Sequence, residues 1–217
     1  RFLYLLREDK VKIDDLVARW RAVANDPKLN EFADKMNSEF FRADVNPTGK
    51  LVVFTESKET AERLAEQMQR ITRRRILTVS SENRKDMERT IRENFDANLE
   101  EEKWQDDYDI LISTEVLAEG VNLHRSNVVV NYDVPWNATR LMQRIGRVNR
   151  IGCRAARIYI YNFYPSAHGD AQIHLVNNAL RKLQAFHTAF GEDHKIFSIL
   201  EEKGEGALFG NKIVKEE

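Results

Sequence analysis

Residues 141–152 read LMQRIGRVNRIG and set Arg144, Arg147 and Arg150 at successive three-residue steps. On a helix this spacing keeps three guanidinium groups on one face, while Leu141, Ile145 and Val148, at i, i+4 and i+7, form an opposite, buried stripe. Such a helix docks on a core and still offers a basic edge. The plain alternative is a solvated charged face. What sets this segment apart is its surroundings: from Val134 to Pro165 there is no Asp or Glu, yet Arg140, Arg144, Arg147, Arg150, Arg154 and Arg157 fall inside it. A local excess of this kind suits a polyanion such as a phosphate chain.

Three further segments have the composition of ligand-facing loops. They are Thr55-Glu56-Ser57, Ser113-Thr114-Glu115 and the stretch from Tyr132 to Arg150, each following an apolar run. Hydroxyls at helix starts, beside unpaired backbone N–H groups, can receive phosphate oxygens, although plain helix capping uses the same residues. Gly120 in AEGVNL permits a backbone conformation or close approach that a side chain would block. Thr48-Gly49-Lys50 is not a Walker A element, since it lacks the first glycine of that motif and precedes a strand. The five histidines show no compact ligand spacing, and no G-x-S-x-G elbow is present. Trp136, after Pro135, is suited either to stacking on a base or to anchoring the helix that follows.

These segments need a scaffold. LVVF (51–54), RRILTV (74–79), DILIST (109–114), NVVVNYD (127–133) and ARIYIYNF (156–163) are apolar strands, and amphipathic helices separate most of them. This alternation predicts an α/β fold: a parallel sheet with helices on both faces and ligands at the carboxyl ends of the strands. A helical N-terminal segment over 1–46, with Asp26-Pro27 as cap and first position of a helix, leads to turn residues at 46–49. The α/β domain then spans 47–165. A helical extension and charged tail cover 166–217, with an amphipathic stripe from Ile173 to Phe190.

At 217 residues, 42% hydrophobic and 32% charged, the chain has ordinary globular composition, and its formal net charge of −1 gives no global attraction to nucleic acid or membrane. The single Cys153 excludes an intramolecular disulfide and fits a reducing, cytoplasmic setting. No apolar run approaches the roughly 20 residues that cross a bilayer. The chain begins at Arg1 rather than Met, as a piece of a longer protein would.

STEVLAEGVNL (113–123) and NVVVNYDVPWNATRLMQRIGRVNRIG (127–152) resemble motifs V and VI of superfamily-two helicases and translocases. The motif VI pattern Q-x-x-G-R-x-x-R is met by Gln143, Gly146, Arg147 and Arg150, and KLVVFTESKETAERLAEQM (50–68) resembles motif IV with its helix. With DPKL (26–29) before them, the wording is closest to bacterial Swi/Snf-like translocases. The resemblance implies a RecA-like domain that is the second of two motor lobes, ATP and Mg²⁺ being held mainly by an N-terminal lobe that carries the Walker elements.

On that resemblance Arg147 and Arg150 are arginine fingers, and Gln143, Arg144, Gly146, Gly120 and Asn122 face the nucleotide. Many relatives carry Asp where Asn122 stands. Thr114 with Ser113, and Thr55, Ser57 and Ser80, would hold a nucleic-acid backbone. DNA is the expected substrate, because DEAD-box helicases have histidine where Gln143 stands. An RNA helicase lobe and a non-catalytic nucleic-acid-binding module are the alternatives.

Overall fold

The computed structural model describes residues 2–23, 25–117, 120–135 and 137–164; the expected extension beyond Pro165 and Trp136 lie outside the described residues. The chain runs through helix α1 (Phe2–Arg21), α2 (Pro27–Ser38), strand β1 (Leu51–Phe54), α3 (Lys58–Ile71), β2 (Ile76–Val79), α4 (Arg84–Phe95), β3 (Ile110–Ser113), β4 (Val128–Asn131), α5 (Ala138–Val148) and β5 (Tyr159–Asn162). The strands form one parallel sheet in the order β2-β3-β1-β4-β5. Longer apolar runs are trimmed to four residues each, matching the four-residue register that β1 offers on both sides.

Every residue of β1, β3 and β4 is buried, so alternate side chains must enter two separate cores. Leu51, Val53, Ile110, Ile112, Val128 and Val130 join α2 and α3 on one face. Val52, Phe54, Leu111 and Val129 join Ile91 and Phe95 of α4 and Val148 of α5 on the other. The edge strands β2 and β5 are only partly buried.

α2 starts as its sequence dictates: the Asp26 carboxylate accepts from the Leu29 N–H at 3.1 Å, with Pro27 next to it. The turn at 46–49 is a joint rather than a linker. Buried Asn46 donates to the carbonyls of both Phe40 and Lys50 at 3.0 Å, and Phe32, Met36, Phe40 and Val45 enter the same core as β1. Phe32 lies at the centre, with ring centroids 5.5 Å from Phe40, 5.5 Å from Tyr132 and 5.9 Å from Phe163. In α1, by contrast, no residue is buried. The acid-rich stretch before β3 is pinned by Trp104, whose ring centroid is 4.3 Å from the guanidinium groups of both Arg125 and Arg154.

Truncating the central ring tests this account. Phe32→Ala should cost about 3–5 kcal/mol in urea unfolding, whereas Trp20→Ala in α1 should change stability by no more than about 0.5 kcal/mol. A small effect at Phe32 would contradict the assignment of α2 to the core.

Candidate functional site

All five strands end at one edge, where Phe54 is in register with Ser113 and Asn131, Val79 with Ser113, and Asn131 with Asn162. The connection after β1 goes to α3 on one face of the sheet, and the connection after β4 goes to α5 on the other. A crevice at such a divergence is where ligands bind open α/β sheets. It holds residues 55–57 and 113–115, and residues 132–135 at the start of the expected stretch from Tyr132 to Arg150.

The three arginines do not share one environment. Successive steps of three lag by about 60° around a helix, so the three arginines fan out and Arg144 falls at the edge of the buried stripe, beside Val148. Its side chain is 0% exposed. Nη2 donates to Glu56 Oε1 and to Glu115 Oε2 at 2.5 Å, Nε to Glu115 Oε2 at 3.0 Å, and Nη1 to the Asp133 carbonyl at 2.8 Å. Asn131 Oδ1 lies 3.4 Å from Nη1, and the Phe54 ring centroid is 5.4 Å from the guanidinium carbon. Arg144 therefore acts as a buried strut, its charge matched inside the fold, which corrects the expectation that all three arginines project from a basic edge.

Arg147 is half-buried, and its carbonyl accepts the Leu123 N–H at 2.8 Å, tying α5 to the loop after β3. Arg150, just past the end of α5, is exposed. Its Nε donates to the Gly146 carbonyl at 3.1 Å and its Nη1 to Asn122 Oδ1. Both partners are neutral, and among the described residues no carboxylate pairs with Arg150. Gln143 and Gly146 are half-buried on the same helix, and a Cβ built on Gly146 would meet nothing within 4 Å. Gly120 has φ +80°, which favours glycine, whereas a Cβ there would displace only the flexible end of the Arg84 side chain.

The expected backbone-gripping residues also gather at this edge, with most of their hydroxyls engaged locally. Thr55 Oγ1 donates to the Ser57 carbonyl at 2.9 Å, Ser57 caps α3 by accepting from Thr60 N–H at 3.1 Å, and Ser113 Oγ donates to the Thr114 carbonyl at 2.9 Å. Buried Ser80 donates its N–H to Asn83 Oδ1 at 2.8 Å. Among the described residues the half-buried Thr114 engages only its backbone, its N–H reaching the Val79 carbonyl at 3.2 Å.

Sequence reasoning missed the acids. Glu56 and Glu115 each stand two residues past a strand end, in the matching pairs Thr55-Glu56 and Thr114-Glu115. With β1 and β3 adjacent, those carboxylates are neighbours and demand a cation between them. His124 and Asp96 were missed as well. The His124 ring is fully buried, with Nδ1 3.7 Å from Asp96 Oδ1 and neither nitrogen hydrogen-bonded among the described residues. Burial lowers its pKa below the ordinary 6.5; Asp96 opposes the shift and Arg150 adds to it.

Two outcomes follow from this geometry. Arg144→Ala, which strands two partly hydrated carboxylates, should cost about 3 kcal/mol in urea unfolding, well above the effect of Glu56→Gln. Because the folded state holds fewer protons on His124 than the unfolded chain, its contribution is complete above 6.5 and is lost as pH falls below that value. Urea midpoints at about pH 7.5 and 5.5 should therefore differ less in His124→Gln than in the wild type.

The family model "Helicase conserved C-terminal domain" matches residues 31–152. An uncharacterized ATP-dependent helicase of Bacillus subtilis, YqhH, is 39% identical over 83 residues, 38% of this chain and 14% of that protein. The human probable ATP-dependent RNA helicase DDX59 is 31% identical over 112 residues, 52% of this chain and 17% of that protein. The chain thus spans a small part of the curated relatives' length. Among solved structures, the C-terminal part of the Fun30 ATPase domain superposes with a TM-score of 0.52 at 15% identity, covering 79% of this chain and 52% of that one. The yeast DEAD-box splicing factor Prp28 does so with 0.53 at 21%, covering 89% and 37%. These likenesses are of fold, and the five-stranded parallel sheet is the RecA-like lobe anticipated from the motifs. With more than half of its residues matched, the chain belongs to the helicase conserved C-terminal domain family.

Proposed function

We propose that this chain is the second motor lobe of an ATP-dependent DNA helicase or translocase, supplying arginine fingers to a nucleotide held mainly by an N-terminal lobe of the same polypeptide. The observation that carries this reading is Arg150: an exposed guanidinium at the carboxyl edge, tethered only by a carbonyl and an amide. A guanidinium with no carboxylate partner among the described residues, beside open space at Gly146, suits an external phosphate.

Bound ATP with Mg²⁺ supplies the phosphoanhydride whose cleavage drives the cycle. In this chain, Arg147 and Arg150 would set positive charge against the γ-phosphoryl group, a contribution worth about 10³–10⁵ in rate for a finger. Gln143, Gly146, Gly120 and Asn122 would line the nucleotide side, and Arg144 would hold their loops in place from within. Thr114, with Ser113, Thr55, Ser57 and Ser80, would meet a nucleic-acid backbone along the same edge. Contacts of that kind carry little sequence information, as a travelling motor requires. Gln143 in the place of a DEAD-box histidine favours DNA. The similarity to a relative named as an RNA helicase supports the RNA reading as the second one.

Arg150→Ala in the full-length protein should abolish nucleic-acid-stimulated ATP hydrolysis, by about 10³-fold or more, with the fold intact. The isolated 217-residue chain should hydrolyse ATP negligibly. Full turnover in the variant would remove the finger role, and turnover by the isolated chain would contradict the half-motor reading. Comparing DNA and RNA as stimulators decides the substrate.

A further inference from the structure

The tether that holds Arg150 continues inward. Asn122 accepts from Arg150 through Oδ1 and donates through Nδ2 to Asp96 Oδ2 at 3.4 Å. Asp96 is itself 5% exposed, and its Oδ1 accepts the Asn98 N–H at 2.9 Å. It caps the C-terminus of α4, which Ile91 and Phe95 fix in the core. A carboxylate is out of place there on local grounds: a helix C-terminus repels negative charge, burial penalises it, and an asparagine would make the same turn with Asn98. The buried His124 also stands 3.7 Å from Asp96, beyond hydrogen-bonding distance.

The amide between the two charges explains the acid. An amide can turn either way, and only one orientation satisfies both neighbours. The carbonyl must face the guanidinium and the NH₂ must face an acceptor, which Asp96 provides. A second carboxylate at position 122 would face Asp96 directly. We propose that Asp96 is a positioning residue for Arg150: by fixing the orientation of Asn122, it holds an exposed, rotamer-rich arginine at the edge of the nucleotide cleft. The role rests on the reading of Arg150 as a finger.

The isosteric change Asp96→Asn keeps the Asn98 turn but presents an NH₂ to Asn122, so the Asn122 amide turns and its own NH₂ faces Arg150. Two measurements test this. In ¹⁵N spectra of the 217-residue chain without nucleotide, the Arg150 Nε–Hε signal, assigned by its loss in Arg150→Ala, should be dispersed in the wild type and move to the free-arginine position in Asp96→Asn. In the full-length protein, Asp96→Asn should lower kcat for stimulated ATP hydrolysis by roughly 10- to 100-fold, with KM for ATP changed less than about twofold. Single-turnover rates should show no further loss when Asp96→Asn is added to Arg150→Ala.

An unchanged Arg150 signal, or equal losses in both backgrounds, overturns the positioning role. Loss in Arg150→Ala without loss in Asp96→Asn overturns this proposal alone, whereas full turnover in Arg150→Ala overturns the finger reading and this proposal with it. If Asp96→Asn fails to fold, Asn122→Ser breaks the same tether from a half-buried position, and the same outcomes apply.

Discussion

Arg144 occupies the point where the connections leaving β1, β3 and β4 converge, and one guanidinium group satisfies acceptors from all three. Glu56 and Glu115 are brought side by side by the pairing of β1 with β3, and without a cation they would repel each other across the crevice. The planar fork of arginine, with donors on three nitrogens, meets both acids and the Asp133 carbonyl together; a lysine ammonium would not span them. The position of α5, and with it of Gln143, Gly146 and Arg147, depends on that strut.

Around the strut the two remaining arginines are differently placed. Arg147 is half-sunk beside the backbone tie between α5 and Leu123, and Arg150 lies just beyond the helix, pinned by neutral groups. Neutral tethers matter electrostatically, because a carboxylate partner would spend the charge that an anionic ligand needs. Acidity near Arg150 is instead kept one residue away, at Asp96 behind the Asn122 amide. The edge thus combines an arginine neutralised inside the fold with one whose partners among the described residues are neutral.

The scaffold behind this edge is rigid for ordinary reasons. Three central strands are buried on both faces, α2 fills one core with Phe32 against three other aromatic rings, and Asn46 seals the joint between α2 and β1.

By itself the amino-acid sequence determined the strands, their parallel pairing and the loops that reach one edge, because apolar runs, helix periodicity and caps such as Asp26 and Ser57 act over a few residues. It also carried the motif that marks the family. The resemblance set Arg147 and Arg150 apart from Arg144, but the burial of Arg144 was not legible, because helical phase decides that only once the extent of α5 and the depth of its docking are known. The pairing of Arg144 with Glu56, 88 residues away, and the chain of Asp96, Asn122 and Arg150 join parts of the sequence with no local relation. Tertiary structure alone brings them together, since strand order and register fix which loop ends become neighbours.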